Sequence, residues 1–334
     1  MIKSVIIGLG DIAPVHLAAI ASYKGAALTA ACDIDPARKS ILPPGTPFFT
    51  DYRAMLSEVR PDVVHITLPH YLHYPVAKEA AEAGFNVFAE KPLALNYADG
   101  LEYAQLEEKT GVKICICLQN RLNATSEKLR EILASGAYGK ITGVRGLVAW
   151  KRAKQYYADK PWRGLLAKAG GGNMINQALH TLDLIQYFAG AKPKQLRGLI
   201  GQLLDYGIEV EDTAAAFIEF ENGVTGLFNG SNANAADIPA EIEVICEKAT
   251  FTIRYQTLYR RDSGGETRLA EDLGSGLGKA VYGSSHEKLI ARFYQALETG
   301  SGEYIHPADA LPVTWLIEAI RLSGLSGKTV QFPN

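Results

Sequence analysis

Glu90-Lys91-Pro92 closes the apolar run Phe85-Asn86-Val87-Phe88-Ala89, well downstream of the glycine turn Gly8-Leu9-Gly10-Asp11-Ile12-Ala13. A lysine at the carboxyl end of a buried strand stands where parallel sheets bind their ligands. Its ammonium can stabilise a developing alkoxide, or carry a proton if desolvation lowers its pKa. The glycine turn fits G-x-G-x-x-G/A and follows the apolar strand Ser4-Val5-Ile6-Ile7, ahead of helically spaced apolar residues at 13–23. Gly8 permits the tight turn, Gly10 lets backbone approach a pyrophosphate, and Ala13 allows helix and strand to pack closely. Leu9, Asp11 and Ile12 complete the expected dinucleotide contact.

Asp33 ends the next strand pattern, where a carboxylate binds adenosine ribose hydroxyls and repels a 2′-phosphate. Asp35 and the absence of arginine before Arg38 point the same way, so the expected cofactor is NAD rather than NADP. Thr67-Leu68-Pro69 and His73, after the third long strand, border the cofactor together with Glu90 and Lys91. His70 and His73 stand three apart, yet no carboxylate or cysteine accompanies them. Cofactor contact or helix capping is therefore expected there, and no metal.

These residues must be carried by strand–helix alternation. Strand runs at 28–32, 63–67, 85–88 and 112–116 alternate with helical stretches including 74–83 and 97–110. Little polar alternation inside the strands indicates a doubly wound parallel sheet covered on both faces, over residues 1–119. Residues 120–334 read as an α+β domain with a mostly antiparallel sheet. Its strands are expected at 141–150, 194–205, 211–220, 224–232, 240–246 and 249–256, and its helices at 123–134, 174–189, 284–299 and 308–323. Glu221-Asn222-Gly223 reads as a hairpin turn and 261–280 as a surface loop.

The 334 residues suit one large or two ordinary domains at roughly 150 residues each. A net charge of −2 with 21% charged residues recommends neither nucleic acid nor membrane as a partner. No apolar run reaches the roughly 18 residues of a membrane span. Met1-Ile2-Lys3 leads straight into a strand without a signal-peptide pattern. The four cysteines lack disulfide or zinc spacing, so reduced thiols in a cytoplasmic protein are expected.

The ordered set Gly-x-Gly-x-x-Ala, Thr-x-Pro-x-x-x-His, Glu-Lys-Pro and a later Gly-Gly segment followed by His resembles the Gfo/Idh/MocA family (glucose–fructose oxidoreductase, inositol dehydrogenase and rhizopine catabolism type). The resemblance spans nearly the whole chain. It implies a Rossmann domain, and a second domain whose open sheet joins subunits into a homodimer or homotetramer. It also implies hydride transfer between a nicotinamide and a hydroxyl carbon of a sugar or cyclitol. The family's catalytic lysine falls on Lys91 and its histidine on His180, a residue type suited to general base work.

His180 lies in Gly170-Gly171-Gly172-Asn173-Met174-Ile175-Asn176-Gln177-Ala178-Leu179-His180-Thr181-Leu182-Asp183. On a helix, Asn176 and His180 share a face. Many family members carry aspartate where this chain has Asn176, which can orient a substrate hydroxyl but cannot act as a base. Trp162 and Arg163 resemble the family's pair near nicotinamide and substrate, and the guanidinium suits a carboxylate or phosphate. Asn120 is expected beside the cofactor and Arg121 in the cleft near the substrate. The resemblance leaves two other outcomes open: a glycosidase that uses NAD transiently, and a dinucleotide-binding regulator without turnover. Loss of proton-transfer residues would accompany the latter, and Lys91 and His180 are both present.

Overall fold

The computed structural model describes residues 1–272 and 285–333. They pack as two compact units: Met1–Ala94 and Ala98–Gln119 with the described part of 274–311, and Leu95–Tyr97 with 120–272 and the described part of 312–334.

The first unit is built on a six-stranded sheet in the order β3-β2-β1-β4-β5-β6. Its strands are β1 (Ile2–Ile7), β2 (Ala26–Cys32), β3 (Phe48–Phe49), β4 (Val63–Ile66), β5 (Asn86–Ala89) and β6 (Ile114–Ile116). Every pairing is parallel. Val5, Ile6, Val63, Val64, Val87 and Phe88 are fully buried, as strands covered on both faces require. Leu9 packs with Ile6, Ala13 and Ala31 in the core beneath the glycine turn. The two residues of β3 are too short to leave a strand pattern. Expected helix 97–110 divides into Tyr97–Ala104 and Leu106–Thr110.

The expected division into 1–119 and 120–334 differs from this packing in two respects, the first being that Leu95–Tyr97 pack with the second unit. Helix Ser285–Thr299 joins the first unit, lying against helix Ala13–Ser22. Leu289, Ile290, Phe293 and Tyr294 form a fully buried stripe along it. The helical spacing was legible, but spacing does not say which sheet will cover the stripe.

The second unit holds a nine-stranded sheet in the order β14-β13-β12-β11-β7-β10-β9-β8-β15. The strands are β7 (Ile141–Ala149), β8 (Pro193–Gly201), β9 (Thr213–Phe220), β10 (Thr225–Ser231), β11 (Glu241–Cys246), β12 (Thr250–Arg254), β13 (Thr257–Asp262), β14 (Gly265–Glu271) and β15 (Val330–Gln331). Among the described residues of this sheet only β7 and β10 pair in parallel. The Asn222-Gly223 hairpin forms as expected, with Gly223 N–H bonded to Phe220 O at 3.0 Å.

The 261–280 loop is corrected. β13 runs to Asp262 and β14 covers 265–271, whereas 273–280 lie outside the described residues. β14 is a sheet edge exposed over most of its length, so it carries charges where a half-buried strand would show alternation. The expected 174–189 helix is also interrupted, into Asn173–Asn176 and Leu179–Ala189. Gln177 and Ala178 both donate to the Asn173 carbonyl, at 3.0 and 2.9 Å, which breaks the regular ladder. Asn176 and His180 therefore do not share one continuous helical face.

Candidate active site

In the first unit the glycine turn and the strand ends are locked together by short hydrogen bonds. Gly8 adopts φ +93°, and a Cβ there would lie 2.8 Å from the Thr67 carbonyl oxygen, so only glycine fits. Thr67 Oγ1 donates to the carbonyls of Gly8 and Ile7. Asp33 Oδ2 accepts from Leu9 N–H at 2.6 Å, and Oδ1 from Asp35 N–H at 2.9 Å. The acidic residue thus stands directly against the turn, where a dinucleotide's ribose is bound in this fold. Gly10, Asp11 and Ile12 lead into helix Ala13–Ser22 with exposed or half-buried surface, whereas the Leu9 side chain is core. The chain therefore offers a bare backbone cradle beside a carboxylate, which fits a nicotinamide dinucleotide.

Lys91 is half-buried just past β5, while its neighbour Glu90 is buried. Glu90 Oε1 accepts from His16 Nε2 at 3.0 Å and lies 3.3 Å from His286 Nε2. From His16 the chain of contacts continues: Nδ1 to His65 Nδ1 at 3.1 Å, His65 Nε2 to Tyr294 Oη at 2.8 Å, and Tyr294 Oη to Ser4 Oγ at 2.8 Å. Burial lowers the pKa of both His16 and His65. Burial also opposes charge on Glu90, but the hydrogen bonds from His16 and His286 outweigh it and hold the carboxyl well below 4.5. An ionised Glu90 acceptor makes His16 the Nε2–H tautomer and, with neutral rings, His65 the Nδ1–H tautomer.

Glu90, expected at the cofactor, has its carboxylate buried against His16 and His286, an inward anchor for its strand. Cys117 joins Glu90 and His286 to give three donor atoms within 4.8 Å of one another, a set with metal-ligand types. Burial and the Glu90 charge push the Cys117 thiol well up, and the bonds from His16 and His286 already account for Glu90. His73, also expected at the cofactor, is buried, with Nδ1 3.0 Å from the Pro92 carbonyl and Nε2 2.7 Å from that of Leu68. It braces the two segments after β4 and β5, leaving the partly exposed Leu68, Pro69 and Lys91 at their surface.

In the second unit the segment from Gly170 to Asp183 is fixed from both ends. Gly172 is compulsory, since a Cβ would lie 1.8 Å from the Glu211 carbonyl oxygen. The Glu211 carboxylate accepts from Gly172 N–H at 2.9 Å and Met174 N–H at 3.1 Å. Burial raises its pKa to about 6 despite those bonds. At the other end Arg121 donates to Asp183 at 2.8 and 2.6 Å, and both are buried. Arg121 was expected to meet substrate. Its guanidinium is held by Asp183 and fixes the helix that presents His180 in its first turn.

Asn176 and His180 remain half-buried, as do Trp162, Arg163 and Asn120. Arg163 Nη1 donates to the Tyr156 carbonyl at 3.2 Å, and its guanidinium lies 4.1 Å from the Tyr156 ring centre. Sequence reasoning missed Glu211 and Asn232, as well as the histidines around Glu90. Positions 16, 65, 90 and 286 carry no shared motif, so only the folded chain brings them together.

Two family models match the chain. The oxidoreductase family with an NAD-binding Rossmann fold covers residues 2–117, and the GFO/IDH/MocA C-terminal domain covers 126–252. D-glucoside 3-dehydrogenase of Escherichia coli (strain K12) is 26% identical, over 90% of this chain and 96% of its own. D-apiose dehydrogenase of Paraburkholderia graminis is also 26% identical, over 98% and 89%. The WlbA dehydrogenase of Bordetella pertussis, solved with NADH and UDP-GlcNAcA, superposes with a TM-score of 0.86 at 25% identity, covering 100% of this chain and 99% of its own.

Proposed function

The chain belongs to the Gfo/Idh/MocA family of NAD-binding oxidoreductases, and from that premise we propose that it moves hydride between NAD and a secondary alcohol or ketone carbon of a sugar, sugar derivative or cyclitol. The observation that carries the reading is Asp33 bonded to the glycine turn, with Lys91 just past β5, two strands along from β1 in the same parallel sheet. NAD, when bound, supplies the hydride acceptor. Lys91 holds the reacting hydroxyl and offsets charge on its oxygen, and His180 takes the proton. Asn176 orients a neighbouring hydroxyl, and Trp162 and Arg163 line the substrate side. Gly8, Gly10, Asp11 and Ile12 offer the pyrophosphate turn, and Asp33 selects NAD over NADP.

The second-unit sheet supports an assembly. Its face away from helix Leu179–Ala189 carries Leu199, Phe217 and Leu227 with 67%, 43% and 45% of their surface exposed, more apolar area than a solvated face needs. We assign it to a homodimer or homotetramer contact. All four cysteines are free and buried, and no described helix is long and apolar enough to cross a membrane, which supports a cytoplasmic setting.

The test is a panel of inositols, free sugars, sugar acids and nucleotide sugars incubated with NAD, following NADH formation and glycoside cleavage together. NADH formation with one of them is expected. Glycoside cleavage without net NADH would replace the dehydrogenase reading with hydrolysis.

A further inference from the structure

The glycine turn, the end of β4 and the end of β5 stand side by side at the carboxyl edge of the first sheet. Ile7, Ile66 and Ala89 are register partners, so Gly8, Thr67 and Glu90 follow them in the next row. One buried side chain links all three strand ends. His16 is the fourth residue of helix Ala13–Ser22, which starts at the glycine turn, and it is fully buried. Its Nε2–H donates to Glu90 Oε1 at 3.0 Å, and its Nδ1 accepts from His65 Nδ1–H at 3.1 Å. His65 stands two residues before Thr67, whose hydroxyl donates to the Gly8 carbonyl. Glu90 directly precedes Lys91.

Glu90 is ionised and buried, so its carboxylate depends on the donors around it. His286 Nε2 faces it at 3.3 Å and Cys117 Sγ lies within 4.8 Å, besides the bond from His16. His286 comes from helix Ser285–Thr299 and Cys117 follows β6. Among these partners, His16 is the one that belongs to the helix at the cofactor turn. A hydrogen bond to a charged group is about twice as strong as a neutral one. This bond fixes the side chain of the residue next to the lysine, while the Glu90 N–H is held by the Ile66 carbonyl at 3.0 Å. Misplacing a reacting group by about 1 Å can cost about 100-fold in rate.

We propose that His16 is a positioning residue of the reaction: through Glu90 it fixes Lys91 relative to the cofactor turn. The inference rests on the dehydrogenase reading above and adds a residue to that same site. Loss of this one tether, with the backbone bond of Glu90 kept, should lower turnover about 10-fold.

Asparagine places a polar atom where the ring carries Nδ1, and glutamine places an N–H where it carries Nε2. His16→Asn thus keeps an acceptor for His65 and drops the bond to Glu90, whereas His16→Gln restores a donor to Glu90. Steady-state kinetics with NAD use whichever of myo-inositol, D-glucose, D-glucuronate and UDP-GlcNAcA the wild type turns over fastest. The expected result is a kcat about 10-fold lower in His16→Asn, with KM for NAD within about threefold. His16→Gln should return kcat to within about threefold of the wild type. In a Lys91→Ala background, His16→Asn should lower kcat by less than about twofold, because the residue it positions is already gone. A merely structural role would lower activity in both backgrounds alike. Equal losses in both, an unchanged kcat in His16→Asn, no recovery in His16→Gln, or near-normal turnover in Lys91→Ala would each overturn the proposal. Should His16→Asn not fold, Glu90→Asp draws the carboxylate back from His16 by one methylene with its charge kept. It must then show the same loss of kcat and the same dependence on Lys91, or the proposal fails. NADH formation by the wild type with none of the four, nor with the wider panel, would instead remove the dehydrogenase reading and this inference with it.

Discussion

Arg121 grips Asp183 with two hydrogen bonds of 2.8 and 2.6 Å, and Asp183 lies three residues beyond His180 on the same helix. The pair is buried, with side-chain exposures of 8% and 1%. Removing one partner strands a charge in the interior, which costs about 3–5 kcal/mol. Arg121→Ala should lower the free energy of unfolding by that order, read from urea titration. A loss below about 1 kcal/mol would return Arg121 to the role of surface ligand contact.

Lys91→Ala and His180→Ala should each cut kcat by about 100-fold or more, the range for a lost acid–base or electrostatic group. NAD affinity, followed by fluorescence titration, should change little, since the turn and Asp33 are untouched. Near-normal turnover in either variant would remove that residue from the mechanism.

Asp33 sets cofactor choice through its charge. Asp33→Asn keeps an acceptor for the Leu9 or Asp35 amide and abolishes repulsion toward a 2′-phosphate. The ratio of kcat/KM for NAD to that for NADP should fall by about 10-fold. A ratio that holds steady would mean that discrimination lies elsewhere.

Acid should unfold the first unit early. His16 and His65 have pKa values lowered by burial, so below about pH 6.5 the unfolded chain binds protons that the folded chain refuses. Stability from these two groups is present above that pH and is lost as pH falls. The depressed Glu90 carboxyl adds a further loss below about pH 4.5, where only the unfolded form protonates readily. Burial lowers His73 as it does His16 and His65, whereas at His306 burial is outweighed by the hydrogen bond to Glu107, which raises the pKa and opposes the trend. The unfolding free energy measured between pH 5 and 8 should therefore decline toward acid with a net slope of about two protons. A flat profile would show that the buried histidines carry charge in the folded state.

The sequence made the cofactor turn legible because Gly8 and Asp33 do local work: one needs a left-handed backbone and the other a strand end. What it left out at Glu90, His73 and Arg121, the partner that holds each side chain, has a common physical reason. Each is a polar residue near reacting groups, and motif position cannot tell whether such a side chain faces solvent or a partner from a distant segment. Glu90 is claimed by His16 and His286, Arg121 by Asp183, and His73 by two backbone carbonyls. The interruption at Gln177 was hidden because the flanking residues keep helical spacing. β14 was hidden because an edge strand has no core face to mark.

The return of helix Ser285–Thr299 to the first unit has a consequence for biosynthesis. Tyr294, which closes the His65 end of the buried histidine line, and His286, which completes Glu90, are made after all of β7–β14. During translation the amino-terminal sheet must wait, its helix Ala13–Ser22 uncovered, while the later strands emerge and pair. The amino-terminal unit is thus not complete before the strands of the second have emerged, unlike domains that finish one after another from the amino terminus. A chain whose strands β7–β14 have emerged while 285–299 are still inside the ribosome thus holds eight of the nine strands of the second sheet and an unfinished nucleotide fold, the state in which a chaperone that shields apolar surface has most to do.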